Sequence, residues 1–481
     1  MEIKDLKPQG MWQCFIDICQ VPRPSKKEEK IINFLLDFGK KHNIETSRDK
    51  VGNVLMKKSA SKGYEKHPCV ILQSHMDMVC EKNSDTTHDF DKDPIQPYID
   101  GEWLKARGTT LGADNGIGMA AAMAVLLDKD LKHPELECLF TVDEETGLTG
   151  AFALENNFLS GKKLINLDSE DDGELFIGCA GGIDTLVSFG YSTEIAPKEL
   201  FYAKISVKGL LGGHSGDDID KNRACANKIL NRFLWNIAKK TKLVLSEIDG
   251  GNLRNAIARE AFAIIGVDMN FKEKLAIAIN HYSVDVRAEY AATEPNMSVS
   301  IDTVAAPQTI IDGQMVKRLF NALYACPHGI IRMSDDMHGL VETSTNLASV
   351  KMADGEIRIS TSQRSSVASA KTDIANMVES VFVMAGANVE HSDGYPGWKP
   401  NPNSELAKIV DDTYKNLFRQ EMKIRAIHAG LECGLFSEKY PAMDMVSFGP
   451  TMRGVHSPDE RLHIADTEKF WTLLVKVLEN L

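Results

Sequence analysis

The chain has 481 residues, 43% hydrophobic and 26% charged, which is enough for two or three domains with ordinary soluble cores. Its net charge of −13, without any long Lys/Arg cluster, argues against nucleic acid and anionic membranes as partners. Met1–Gly10 lacks an apolar signal core, no run of about 18 apolar residues occurs, and nine scattered cysteines form no Cys-x-x-Cys, so a cytoplasmic protein with free thiols is expected.

Residues 11–45 read as helices, with Trp12, Phe15, Ile16 and Cys19 at helical spacing, then Ile31, Ile32, Leu35, Leu36 and Phe38. Ser25 with Glu28 suits a capping box for the second helix, and Val51–Met56 reads as a short strand. Pro68–Met78 is a buried strand ending in His75-x-Asp77, where a carboxylate can fix the tautomer of a metal-binding imidazole. The same triplet also arises by chance.

Gly108–Gly118 runs into a buried helix, Met119–Leu127. Asp114 and Asn115 stand just before that helix, where backbone amides favour an anion. Asp114 would equally serve as an N-cap. Neither Gly-x-Gly-x-x-Gly after a strand nor Gly-Lys-Ser/Thr is present, so no phosphate loop is expected.

The apolar run Leu136–Phe140 leads into Thr141-Val-Asp-Glu-Glu-Thr-Gly147, read as a strand that ends in a turn. Without a cation, Asp143, Glu144 and Glu145 would repel one another. Neighbouring side chains of an extended chain point to opposite sides. Glu144 and Glu145 can therefore serve one site in two roles, one holding a metal and one moving a proton. An acidic, solvated loop has the same composition. After a helix near Gly150–Asn157, Lys163–Asp168 is another apolar strand with an aspartate at its end. Strands that finish in His, Asp or Glu, with helices between them, are the alternation of an α/β domain with its site at the carboxyl ends.

Tyr202–Lys208 alternates as a strand and precedes a glycine-rich stretch with His214 and a helix containing Ile229, Leu230, Phe233 and Leu234. Gly250–Ala258 and the extended run Phe262–Met269 follow. Met297–Thr303 alternates again and is expected to open a loose copy. In that copy, residues 314–323 read as a helix, Thr343–Ala348 is similar to Arg254–Ala258, Glu356–Thr361 is a strand ending near Arg364, and Ala368–Met384 is helical. Two β-α-β-β-α-β units are expected. His428 and Glu432 lie in a glycine-bounded loop, Met443–Pro450 is a strand, and the loop beyond it holds His456. His42, His67, His88 and His133 are expected at the surface.

The motifs Ser74–Cys80, Gly112–Gly116, Asp143–Gly147, Asn166–Asp168, Gly212–Gly216, His428–Gly434 and Gly454–Ser457 together resemble the M20 family of dinuclear zinc peptidases, and within it the Xaa-His dipeptidase branch. The resemblance spans most of the chain in family order. It implies an α/β catalytic domain, a mixed sheet flanked by helices, with an inserted α+β lid. It implies two Zn2+ per chain, a donor set that Mn2+ or Co2+ would also suit. His75 and Asp168 would bind one ion, Glu145 and His456 the other, and Asp114 would bridge both. Asp77 would support His75, and Glu144 would be the general base acting on a metal-bridging hydroxide. A cis peptide is implied at Asp114–Asn115.

Because the last implied ligand is His456, a lid over 199–392 is expected between catalytic segments 1–198 and 393–481. In dimeric members of the family a single-unit lid offers its histidine to the neighbouring subunit. A doubled lid would supply His214 and Asn255 within one chain, and its second half would supply Asn346 and Arg364 to grip the substrate's C-terminal carboxylate. Glu432 would read the amino group. A plain glycine-loop histidine and a surface arginine are the ordinary alternatives for His214 and Arg364. The implied function is hydrolysis of dipeptides, including β-alanyl-histidine, with broad tolerance, by a monomer or homodimer without nucleic-acid or membrane partners. Another M20-like hydrolase, such as an N-acyl amino acid deacylase or a carboxypeptidase, or a non-catalytic binding protein of the same fold, would carry similar motifs.

Overall fold

Val70–His75 and Leu136–Thr141 begin with apolar residues and set Gln73, His75, Glu137 and Thr141 on one face, and in the computed structural model, which describes residues 2–353 and 355–481, both are buried along their whole length. They pair in parallel at the middle of an eight-stranded sheet, the setting in which strands read as continuous apolar runs. The strand order is Glu45–Arg48, Val54–Lys58, Leu136–Thr141, Val70–His75, Lys163–Asn166, Asp444–Ser447, Glu174–Cys179, Lys423–Ile427. Register sets the site. His75 lies opposite Thr141, Gln73 opposite Asn166, and Asn166 opposite Ser447, so four parallel strands finish at one edge.

Helix Gln9–Cys19 buries Met11, Trp12, Phe15 and Ile18 and packs on helix Ala113–Leu127, which is buried almost throughout. A four-stranded sheet in the order Met452–Arg453, Arg461–His463, Trp103–Ala106, Pro97–Asp100 frames the loop that holds His456. Among the described residues no helix is long and apolar enough to cross a membrane.

Local expectations fail where side chains claim the backbone. The strand expected at Val51–Met56 starts at Val54, because Asp49 Oδ1 accepts from the amides of Val51, Gly52 and Asn53 and closes a turn there. Ser25 and Glu28 form no capping box. Ser25 Oγ donates to Asp77, and Glu28 Oε1 accepts from the amides of Lys26 and Asp143. His133 is buried rather than exposed, with Nδ1 2.7 Å from Pro134 O, and burial lowers its pKa.

The chain forms two compact units, one comprising the chain to Gly178 with Pro400–Ala426 and Leu431–Leu481, the other Cys179–Lys399 with Ile427–Gly430. The second unit carries a nine-stranded antiparallel sheet. Its order is Ser298–Thr303, Leu200–Lys208, Ala261–Asp268, Leu243–Gly250, Val341–Ala353, Glu356–Ser365, Gly181–Gly190, Asn388–His391, with Gly329–Met333 paired to Val341–Ala353. Read from either outer edge inward, the halves have the same order, and they meet where Gly250 faces Val350. Helices Ala226–Ala238, Lys272–Glu289, Gly313–Ala325 and Ala368–Met384 supply Phe233, Ile279, Phe320 and Phe382 to one core with Ile205, Ile265 and Ile359 from the sheet.

This topology differs from the expected boundaries. Gly181–Gly190 pairs along its length with Glu356–Ser365, so the second half takes its first strand from ahead of the first half. The division therefore falls at Gly178/Cys179 and Lys399/Pro400 rather than at 198/199 and 392/393. Ser298–Thr303 pairs with Leu200–Lys208 and closes the first half instead of opening the second. Thr343–Ala348 lies inside a strand, whereas Arg254–Ala258 lies in a connection, so the two stretches are not equivalent.

Candidate metal centre and substrate groups

The extended chain does not continue through Thr141–Gly147. Asp143 enters the left-handed region at φ 49°, and Glu144–Gly147 makes one helical turn. Strand alternation therefore does not separate Glu144 from Glu145; the helical turn does. Asp143 is the turn residue, its carboxylate accepting from the hydroxyls of Thr146 and Thr149.

Asp114 stands between two imidazoles. Its Oδ1 is 3.0 Å from His75 Nε2, and its Oδ2 is 3.1 Å from His456 Nε2. Each imidazole meets a second carboxylate: His75 Nε2 is 3.5 Å from Asp168 Oδ1, and His456 Nε2 is 3.0 Å from Glu145 Oε2. His75, Asp114 and Glu145 offer ligand atoms within 4.8 Å of one another. Glu145 Oε1 is buried with no hydrogen-bond partner among the described residues. The Asp114–Asn115 peptide is cis, and Asn115 Nδ2 donates to Asp168 Oδ1 at 2.5 Å.

This set of three carboxylates and two imidazoles fits a pair of divalent ions such as zinc, manganese or cobalt. The protonation pattern agrees. Hydrogen bonds to Asp114 and Glu145 push His456 up to about 11. Burial opposes charge on His75, but Asp168, Asp114 and Asp77 together raise its pKa well above the ordinary value. Burial, joined by Asp114 and Glu145, pushes Asp168 up to about 6. Burial, reinforced by Asp168, Glu432 and Glu145, raises Glu144 well above the carboxylate range. Carboxylates crowded in this way retain protons in place of a cation.

Three side chains hold this arrangement through the backbone. Asp77 lies 3.3 Å from His75 Nδ1 and also accepts from Glu144 N at 3.0 Å, Glu145 N at 3.2 Å and Ser25 Oγ at 2.8 Å. Glu460 accepts from Leu111 N, Gly112 N and Ala113 N at 2.7–2.9 Å, fixing the turn before Asp114. The buried guanidinium of Arg23 donates to Met76 O, Asp77 O and Gly112 O and ties that turn to the end of the His75 strand. Sequence reasoning missed Glu460 and Arg23, since binding backbone leaves no motif. A Cβ at Gly118 would lie 2.7 Å from Leu167 O, so glycine lets this helix approach the strand end before Asp168.

Glu432 opens helix Glu432–Lys439 instead of lying in a loop, and it is fully buried. Its Oε2 accepts from Gln73 Nε2 at 2.6 Å and Thr141 Oγ1 at 2.9 Å, leaving Oε1 without a partner among the described residues. Burial, then Asp168, pushes its carboxyl up to about 8.

The second unit gathers the other expected residues. Arg364 donates from Nε to Ser215 Oγ at 3.3 Å and from Nη1 to Tyr395 Oη at 3.0 Å, and its Nη2 is 3.3 Å from His214 Nε2. Asp217 Oδ2 is 3.1 Å from His214 Nδ1. His428 Nε2 is 2.7 Å from Ser344 Oγ, and burial followed by Arg364 lowers that imidazole to about 3. Asn346 is buried and donates to Ala256 O at 2.8 Å and Arg254 O at 3.3 Å, bracing the connection on which Asn255 is exposed.

Residues 71–480 match peptidase family M20/M25/M40. The chain is 46% identical over 480 residues to the cytosol non-specific dipeptidase of Escherichia coli strain K12, covering 100% of this chain and 99% of the relative. It is 45% identical to the aminoacylhistidine dipeptidase from Vibrio alginolyticus, whose crystal structure superposes with a TM-score of 0.95 over 100% of this chain and 98% of that one. An aminopeptidase of Bacillus cereus, at 17% identity and a TM-score of 0.57 over 98% of each chain, shares the fold.

Proposed function

From the premise that the chain belongs to peptidase family M20/M25/M40 and is a peptide hydrolase, we propose that it cleaves dipeptides, β-alanyl-histidine and other Xaa-His dipeptides among them, in the cytoplasm with two bound zinc ions. The observation that carries the two-ion reading is Asp114, with one carboxylate oxygen towards each imidazole. The full-length likeness to the Escherichia coli and Vibrio alginolyticus enzymes supports the dipeptide reading. His75 and Asp168 would hold one ion and Glu145 and His456 the other, with the Asp114 carboxylate between the two imidazoles shared by both. Manganese or cobalt suits the same donors.

Bound there, the metal pair supplies Lewis-acid polarisation and a water acidified towards a pKa of roughly 7. Glu144 shares its turn with Glu145 but is left for proton transfer. It takes the water's proton as the new C–O bond forms and passes it to the amide nitrogen as the C–N bond breaks. Asp77 keeps the backbone of both glutamates in place and orients His75. Arg364 takes the substrate's carboxylate, His214 donates to its carbonyl oxygen, and Glu432, through the Oε1 that has no partner among the described residues, takes the ammonium group.

The test is Glu144→Ala, assayed for metal content and for hydrolysis of a dipeptide panel. The expected result is native metal content and a loss of at least about 10²-fold in rate, the size of a general-base contribution. Loss of metal in this variant would exchange the roles of Glu144 and Glu145. Native enzyme that cleaves N-acetyl amino acids and leaves dipeptides intact would replace the dipeptidase reading with a deacylase one.

A further inference from the structure

The guanidinium of Arg364 is buried, with Arg364 7% exposed, and among the described residues no carboxylate lies within ion-pair distance of it. A buried, unpaired charge is costly. A guanidinium has five N–H donors, and its three contacts here all go to neutral or shared partners, so donors remain for an incoming anion.

Tyr395 is built around this group. Its ring fits against two glycines: a Cβ at Gly182 would come within 2.6 Å of it, and one at Gly430 within 2.8 Å. The Tyr395 amide donates to Gly182 O at 2.8 Å, the Gly182 amide donates to Tyr395 O at 3.1 Å, and Lys371 Nζ donates to the same carbonyl at 2.5 Å. Backbone and ring are thus fixed, and the phenol oxygen is delivered to Arg364 Nη1 at 3.0 Å. In that bond Oη is the acceptor. Its own hydrogen has no acceptor among the described residues, and burial raises the phenol pKa, so the hydrogen is retained.

We propose that Tyr395 Oη is a second donor to the carboxylate that Arg364 binds, so that phenol and guanidinium together clamp the C-terminal end of a dipeptide. The inference rests on the dipeptidase reading and adds a residue to it. A carboxylate has two oxygens with room for several donors, and a charge-assisted O–H···O bond beside an arginine fork adds both affinity and geometric selection. The clamp makes Tyr395 a determinant of preference for a free carboxylate over its neutral amide.

The experiment uses the metal-loaded full chain and Tyr395→Phe, which keeps the ring in its slot and removes only the hydroxyl. β-Alanyl-histidine and β-alanyl-histidinamide are assayed side by side. The expected result is a KM for the acid raised about 10-fold or more, the worth of one hydrogen bond to a charged group. Its kcat should stay within about twofold and the amide kinetics should be unmoved. Equal losses on both compounds, or an unchanged KM for the acid with native preference retained, would overturn the inference while leaving the dipeptidase reading standing. Native enzyme that cleaves neither compound would remove both. Tyr395→Leu, which loses ring and hydroxyl together, should affect the acid at least as strongly as Phe, and a Leu variant with native acid kinetics would also overturn the clamp.

Discussion

At the scale of single residues, Asp77 shows how much one carboxylate settles. It faces His75 Nδ1 and accepts from the amides of both Glu144 and Glu145, while Ser25 occupies a further lone pair. Asp77→Asn keeps the size but turns one acceptor into a donor facing an amide. Leaving a buried N–H unpaired costs about 1–3 kcal/mol, and losing an orienting partner of a metal-binding histidine weakens metal affinity by about 10–100-fold. The variant should show a lower melting temperature and weaker metal binding, measured by thermal unfolding and metal titration. Native values for both would show that the backbone of the glutamate turn is held by something else. The residues gathered around Asp114 were legible because His, Asp and Glu at strand ends are themselves a chemical signal. Arg23 and Glu460 were not, because a side chain that binds main-chain carbonyls or amides can come from any position that folding brings near. Tyr395 was missed for a similar reason: its slot is built from Gly182 and Gly430, both distant in sequence.

At the scale of elements, strand Leu136–Thr141 is apolar except for Glu137 and Thr141, and Glu137 is fully buried. Its carboxylate accepts from Ser160 N at 2.8 Å and Gly161 N at 3.0 Å and pairs with Lys57 Nζ at 2.9 Å. Those bonds anchor the turn that feeds strand Lys163–Asn166 and so Asp168. Burial alone would raise this carboxyl, but the Gly161 amide, Lys57 and Ser160 outweigh it and hold it below its ordinary value. A carboxyl with a depressed folded pKa stabilises the fold above its unfolded pKa, near 4.3, and loses that contribution as pH falls through the folded value. Glu137→Gln should therefore be less stable than native at neutral pH, and the gap should close on acidification below about pH 4. Unfolding measured at both pH values checks this; a gap that widens in acid would reverse the sign.

Element types were legible where the period was strong, as in the buried strands of the first sheet. The turn at Glu144–Gly147 was read as extended chain because the left-handed Asp143 that ends the strand has no glycine to announce it. The role of Gly181–Gly190 was hidden for a different reason. Alternation shows that a strand exists but does not name its partner, and that partner, Glu356–Ser365, lies far along the chain.

At the scale of the molecule, the first unit collects metal-type donors and the second collects an arginine with no ion pair among the described residues, together with its histidine and tyrosine. Ions that bind only the folded first unit stabilise it by mass action, about 2.7 kcal/mol at a hundredfold excess over Kd. Chelation should lower the melting temperature and abolish dipeptide hydrolysis, and zinc add-back should restore both. Activity that survives complete metal removal would contradict the mechanism. The most direct test of the two-ion centre is elemental analysis of native protein and of Asp114→Ala after dialysis against a weak chelator. The bridged arrangement predicts two ions per native chain and loss of both, or of all but a weakly held one, from the variant. One ion per native chain, or two retained without the Asp114 carboxylate, would contradict it.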